Sequence, residues 1–305
     1  MKVSIITPFY KGNNYIEAYQ DNMLSNIEHL SEDDEMEVII VNDSPWEAVA
    51  LRGSVVANPA FKVVKNRENS GIHLSRIHGL MQATGDYVIF LDQDDRLKDD
   101  AVCCFIEEAK RLIAKDPGKN QLCYKVIVAN ALLEQKDWKS LWYRTNYHKS
   151  VVSNLETYLS VGTQIISPGQ CLIPKCLIPD FWLEHIITKN GADDYFLWLL
   201  LLEQGIGFSY LDKPLYVHAY TEKNLSADTS VTDESCYEFI EMLRGHEDIM
   251  PAKDLDRLYE MLYFKNLFRQ AGKMQKLRLA FKNLKILLPN LVFKIKTKTG
   301  YGFNR

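Results

Sequence analysis

Tyr87-Val88-Ile89-Phe90-Leu91-Asp92-Gln93-Asp94-Asp95 decides the fold: five strand-forming residues run directly into a cluster of three carboxylates. A continuous apolar run of this length predicts a buried central strand, and Thr84-Gly85-Asp86 before it sharpens its start. Three carboxylates within four residues repel one another unless a cation sits among them, and hard divalent ions prefer oxygen ligands. A solvated acidic turn is the alternative. Position favours the cation, because ligands of open α/β sheets bind beyond the carboxyl ends of the strands.

Working upstream, residues 2–7 predict a first strand closed by Pro8, and Asn13 or Asn14 can cap a helix with Tyr15, Tyr19, Met23 and Ile27 on one face. A second buried strand, 37–41, again ends in a polar cluster, Asn42-Asp43-Ser44-Pro45. Residues 44–59 show no period and are expected to be loop with one helical turn. Residues 61–64 predict a third strand, Asn69-Ser70-Gly71 a turn, and 72–83 a helix with Leu74, Ile77 and Leu80 or Met81 inward. Strands alternating with helices predict βαβ units and a mostly parallel sheet.

Downstream, a helix is expected from Asp99 or Asp100 to about Ala114, a break at Asp116-Pro117-Gly118 and a strand over 123–129. Aromatic and charged residues over 134–152 suit a loop or small strands. A short strand over 170–174, a leucine-rich helix over 193–203 and strands over 206–210 and 215–219 follow. Helices are expected over 234–244 and 254–270.

The 305 residues, 47% hydrophobic and 25% charged, predict a soluble chain of one large or two unequal domains. Net charge is −4, yet residues 273–305 hold nine Lys and Arg and no acid, so the remaining 272 residues carry −13. The six cysteines form no CxxC pair and no zinc-type spacing, which predicts reduced, mostly buried thiols. The apolar run at 3–6 is too short for a signal peptide. The longest such run, 196–202, falls far below the ~20 residues of a transmembrane helix, so a cytoplasmic protein is expected. Residues 274–298 mix the basic residues with large apolar ones, which suits a membrane surface more than nucleic acid. A C-terminal helix packed on its own domain is the alternative.

Val3-Ser4-Ile5-Ile6-Thr7-Pro8-Phe9-Tyr10, the strand ending at Asp43, Asn69-Ser70-Gly71 with Arg76 and Gly79-Leu80, the stretch 85–95, and Asp193-Asp194 with Leu197-Trp198-Leu199 stand in one order. Together they resemble the family 2 glycosyltransferases, from residue 2 to about 226. The resemblance implies a GT-A fold, an α/β sheet flanked by helices. A catalytic domain over 1–226 would divide into a nucleotide-sugar half (1–98) and an acceptor half (99–226), followed by a helical region with the basic tail (227–305).

It also implies roles. Thr7, Pro8, Tyr10 and Asp43 would hold the nucleotide, with Asp43 suited to accept an imide N–H of a pyrimidine, which favours a UDP-sugar. Arg76 would lie near the diphosphate or an acid of the metal motif. Asp92-Gln93-Asp94 fits the family's DxD element, with Asp92 and Gln93 toward the donor and Asp94, with Asp92, holding Mn²⁺ or Mg²⁺. Asp95 is expected to be a supporting or capping acid, and His73 and His78 to be structural. Many family members carry an aromatic-Arg-x-His run where this chain has His218-Ala219-Tyr220-Thr221. The family's metal-ligating histidine would align with Thr221, and His218 is a candidate substitute.

Asp194 aligns with the family's base, and an aspartate with an ordinary pKa of about 3.9 can act as one at pH 7; Asp193 can cap the helix. Trp182 and the aromatics from Trp138 to Tyr147 could stack on an acceptor sugar or pack in the core. The reaction implied is inverting transfer to a hydroxyl of a glycan or lipid-linked saccharide, in bacterial-type surface polysaccharide synthesis at the inner face of the plasma membrane. A sugar nucleotidyltransferase would need a glycine-rich basic loop after the first strand, and residues 7–12 hold one glycine and one lysine. A non-catalytic assembly subunit would explain the altered 218–221 run, although every acid the chemistry needs is present.

Overall fold

The computed structural model describes residues 1–115, 125–135, 138–219 and 229–298. The first half runs β1 (Lys2–Phe9), α1 (Ile16–Glu28), β2 (Glu35–Asn42), the single turn α2 (Gly53–Val56), β3 (Phe61–Lys65), α3 (Gly71–Gln82) and β4 (Tyr87–Phe90). β1 pairs in parallel with β2 and β4, and β2 with β3. Val3, Ile5, Ile6, Val38–Val41 and every residue of β4 are buried. Strands covered on both faces need apolar side chains at every position, which is why these read as continuous runs.

The second half comprises β5 (Arg96–Leu97), α4 (Ala101–Lys115), β6 (Val126–Gln135), β7 (Trp138–Leu141), α5 (Asn146–Ser150), α6 (Leu155–Val161), β8 (Cys171–Pro174), α7 (Asp180–Glu184), α8 (Asp193–Glu203) and β9 (Phe208–Ala219). The sheet order is β3-β2-β1-β4-β8-β6-β9-β5, with β7 beside β6. The parallel arrangement extends from β3 to β4. Beyond it β8 is antiparallel to both β4 and β6, β6 is parallel to β9, and β5 closes antiparallel on β9. The acidic loop 91–95 therefore leaves the middle of the sheet and reaches its far edge. β3 and the two-residue β5 are the ends of the order, and β3 turns Lys62, Val63 and Lys65 to solvent.

The chain then continues as α9 (Thr229–Leu243), α10 (Ala252–Gln270), α11 (Lys273–Lys282) and α12 (Leu284–Thr297). α9 and α10 add Phe239, Ile240 and Leu258 to the same core as the sheet. Among the described residues, no helix is long and apolar enough to cross a membrane, and Cys103, Cys104, Cys171, Cys176 and Cys236 are free thiols.

Two expectations change and one open alternative is decided. Neither Asn13 nor Asn14 caps α1, whose N-cap is Tyr15; Asn13 instead donates to Glu47 and to the Ala48 carbonyl, tying the loop after β1 to the loop after β2. Met81 points outward, with 75% of its surface exposed, and Leu80 is the inward residue. The strands expected over 206–210 and 215–219 are one strand, β9, whose pairing with β6 shifts register around Asn130 and Pro214. A bulge absorbs the proline, which lacks the N–H a regular ladder needs. The break at Asp116-Pro117-Gly118, the start of the expected strand at Cys123, the boundary at 226 and the positions of Tyr220 and Thr221 lie outside the described residues.

Gly79 shows how closely α3 lies on the sheet: a Cβ there would stand 2.3 Å from Ile6 Cγ2 and 3.1 Å from Val41 Cγ2. Gly79→Val should lower the free energy of unfolding by about 1–3 kcal/mol through overpacking, read as a shift of the urea midpoint. An unchanged midpoint would mean that helix and sheet are less tightly apposed.

Candidate active site

The carboxyl ends of β1, β2 and β4 lie side by side, so Tyr10, Asp43 and Asp92 come to one end of the sheet. Gln93 joins two of the loops: its Oε1 accepts from Tyr10 N (2.9 Å) and its Nε2 donates to Tyr10 O (3.1 Å). The amide thus completes a strand-like pair of bonds where the strands have ended. Tyr10 is exposed, edge-on to Trp46, and Lys11 Nζ lies 5.0 Å from the Tyr10 ring centroid and 6.0 Å from that of Trp46. Lys11 holds a left-handed backbone conformation (φ 49°), a strained state for a residue with a Cβ and one that clusters at functional loops.

Arg76 is the hub. It is buried on the inner face of α3, donating from Nη2 to Asp92 Oδ1 at 2.7 Å and from Nη1 to Asp193 Oδ2 at 2.5 Å. Burial opposes its charge, yet Asp193, Asp92 and Asp194 more than offset this and push its pKa further up. Of its two expected partners, it reaches the acid of the metal motif. Asp193 meets Arg76 rather than capping α8, which has Ala192 as N-cap and no side-chain cap. Its carbonyl oxygen accepts from Trp182 Nε1 at 2.9 Å.

The acids differ in surroundings. Half-buried Asp92 is raised by burial, opposed by Arg76 and reinforced by Asp95 and Asp193; its second oxygen accepts from Ser167 Oγ at 3.3 Å. Half-buried Asp94 is pushed up to about 6 by burial and by the charges of Asp95 and Asp92. Asp95 is buried and held by β9: it accepts from the Tyr216 hydroxyl, from His218 Nδ1 (3.1 Å) and from Ala219 N (3.2 Å). Burial pulls the pKa of His218 down, but the hydrogen bond and charge of Asp95 outweigh it and raise it.

The donor set suits a hard divalent cation: all-oxygen carboxylates whose mutual repulsion leaves Asp94 with a raised proton affinity. Among the described residues, no three His, Cys, Asp or Glu side chains converge as a closed metal site, and His218 Nδ1 is committed to Asp95.

Asp194 sits at the start of α8, where its Oδ1 accepts from Tyr195 N at 2.7 Å. Burial first, then the charge of Asp193, raise its pKa to about 7 against the pull of Arg76. Three donors hold the Asp43 carboxylate: Asn66 Nδ2 (2.7 Å), Ser70 N (2.7 Å) and Gly71 N (3.0 Å). It anchors the start of α3, aided by Asn190 Oδ1, which accepts from Ile72 N. Thr7 also turns inward, its hydroxyl 2.7 Å from that of Tyr19, while Pro8 is half-buried beside it.

His73 accepts from Ile187 N, and His78 bonds Asn66, both structural as expected. Trp182, Trp142 and Tyr143 are core residues; of the aromatics considered for the acceptor, Trp138 stands exposed. Trp46, Lys11, Asn66, Ser167 and Tyr216 escape sequence reading. The polar cluster after the second strand was a signal for Trp46; none marks the others.

Residues 4–157 match the profile of "Glycosyl transferase family 2". The chain is similar to glycosyltransferase GlyA of Streptococcus pneumoniae, 26% identical over 74% of this chain and 31% of the relative. It is also similar to the putative teichuronic acid biosynthesis glycosyltransferase TuaG of Bacillus subtilis, 35% identical over 32% of this chain and 38% of that protein. The match thus spans about a third of the length of these two relatives. An uncharacterized glycosyltransferase of Haemophilus influenzae matches over 99% of both chains at 23% identity. In fold, the chain resembles S. aureus TarS 1-349 solved with UDP-GlcNAc, with a TM-score of 0.58 and 17% identity over 97% of this chain and 82% of that one.

Arg76→Met keeps the length of the side chain but leaves Asp92 and Asp193 without their cation. Removing one partner of a buried ion pair costs about 3–5 kcal/mol, so the variant should unfold at markedly lower urea. Wild-type stability in Arg76→Met would show that the ion pairs hold nothing together.

Proposed function

The chain belongs to glycosyl transferase family 2, and we propose that it transfers a sugar from a UDP-sugar, with inversion, to a hydroxyl of a growing surface polysaccharide or lipid-linked saccharide. The observation that carries this reading is the division of labour in the acidic pair at the start of α8. Asp193 is spent on Arg76, while among the described residues Asp194 is bonded by a backbone N–H alone and has the raised proton affinity of a general base.

In this reading the nucleobase lies against Tyr10 and Trp46, with Lys11 nearby to meet a phosphate. The teichuronic acid relative and TarS, solved with UDP-GlcNAc, support the choice of polymer and donor. Asp94 and Asp92 would hold Mn²⁺ or Mg²⁺, which when bound neutralises charge on the departing diphosphate. The acceptor O–H gives its proton to Asp194 as its oxygen forms a bond to the anomeric carbon. The bond from that carbon to the diphosphate oxygen breaks on the opposite face, so configuration inverts in one step. Arg76 keeps Asp92 and the α8 acids in fixed relation, so the protein's contribution is positioning and preset charge.

A panel of nucleotide sugars assayed with Mn²⁺ or Mg²⁺ should show release of nucleoside diphosphate from one UDP-sugar, abolished in Asp94→Asn. Asp194→Asn should reduce transfer by roughly 10²–10⁴-fold, the usual contribution of a general base, with donor binding retained. Release unaffected by Asp94→Asn would overturn the metal assignment.

A carboxylate must be ionised to accept a proton, so kcat should climb as pH rises through about 7 and level off above it. Asp194→Asn should remove this limb from its residual activity. A flat profile between pH 5 and 8 would exclude Asp194 as the group that limits the rate.

A further inference from the structure

α12 has two apolar faces. Its inner face packs on α5 and α6: Phe293 is buried against Tyr147 and His148, Asn290 Nδ2 donates to Ser160 O at 2.8 Å, and Lys296 O accepts from the Thr145 hydroxyl. At 100° per residue, the opposite face is Leu284, Leu288, Leu291, Val292 and Ile295, all exposed, Ile295 by 67%. α11 extends this pattern with Met274, Leu277 and Phe281 at helical spacing, Phe281 exposed by 76%, and buries no residue of its own. Packing against the body accounts for one face only.

Charge indicates what covers the other. On the same helical wheel Lys285 flanks one side of the α12 stripe and Lys294 the other, where long side chains can leave an apolar layer and reach anionic groups, while Lys296 Nζ turns to the Tyr147 ring, 4.6 Å from its centroid. Residues 273–305 carry +9 with no acid, against −13 for the remainder. An anionic surface would therefore attract this end and repel the body. A second copy of the chain is disfavoured, since a symmetric contact would oppose two +9 segments. Nucleic acid would leave the large apolar stripe unserved.

We infer that α11 and α12 seat the protein on the surface of an anionic lipid bilayer, with the stripe in the headgroup boundary and the lysines at the phosphates. The helices beneath point to the use of that contact. α12 rests on α6, and α6 is joined to α8, the helix of Asp194, by the Tyr195 hydroxyl donating to Tyr158 O at 2.6 Å. The docked side thus belongs to the half proposed to admit an acceptor, which suits a lipid-linked saccharide. Only this last step rests on the proposed transfer reaction; lipid binding does not.

Co-sedimentation of the full chain with vesicles tests it without any assay of activity. Vesicles containing phosphatidylglycerol should bind the protein roughly tenfold or more better than pure phosphatidylcholine, and added salt should weaken the binding. The double variant Leu288→Glu/Ile295→Glu alters exposed positions, so its circular dichroism should match wild type while vesicle binding is lost. Absence of binding to anionic vesicles, or binding untouched by that variant, would overturn the inference. So would a lipid-free oligomer, seen by light scattering, that the same variant dissociates without any vesicle binding by wild type.

Discussion

The guanidinium of Arg76 ties the end of the central strand to the start of α8. Its two amino groups reach Asp92, 16 residues away at the end of the central strand, and Asp193, 117 residues away at the start of a helix. A planar fork suits this task, since each arm is fixed relative to the other, and a lysine could satisfy one acid at a time. Burial makes the arrangement demanding: Arg76 and Asp193 are almost fully withdrawn from water and Asp92 is half-buried, so removing one charge leaves the others without their partner. The fold supplies that space by laying α3 tightly on β1 and β2, with Gly79 at the contact.

The remaining acids are kept apart by separate devices. Asp95 is drawn toward β9 by Tyr216, His218 and a backbone N–H, which leaves Asp94 at the turn with carboxylates on either side. Asp43 is saturated by donors around the start of α3. Asp194 keeps company with a backbone N–H and a paired neighbour. The aspartates near this end of the sheet thus differ in their hydrogen-bonded surroundings, a difference set by tertiary contacts rather than by residue type.

What was legible in the sequence was what depends on local pattern. The β4 run with its acids, the order of strands and helices through residue 115 apart from the two-residue β5, and the bounds of α8 follow from apolar periodicity and turn residues. What was not legible depends on partners distant in sequence. Asn22, Asn26 and Gln20 lie on the inner side of α1 and bond β5, α4 and the loop at Arg52; a hydrophobic pattern takes such residues as an outer face. Asp193 was expected to cap a helix because Arg76 is invisible from its neighbourhood. Trp182 could be a sugar platform or a core residue on composition, and only its buried bond to the Asp193 carbonyl decides. The two readings of the C-terminal stretch were posed as rivals, whereas α12 packs on the body by one face and leaves another apolar face outward.

The ends of the sheet bear on a different property, resistance to aggregation. An open sheet of nine strands presents unpaired backbone at its borders, and such borders recruit strands from other chains. Here one border, β5, is two residues long, too short to template an incoming strand. At the opposite end of the order β3 turns Lys62 and Lys65 to solvent on either side of the exposed Val63, so a second copy would have to bury like charges to pair there; the four-residue β7 is a further edge, beside β6. A protein that reaches high local concentration wherever its substrates gather would gain from borders that refuse its own copies.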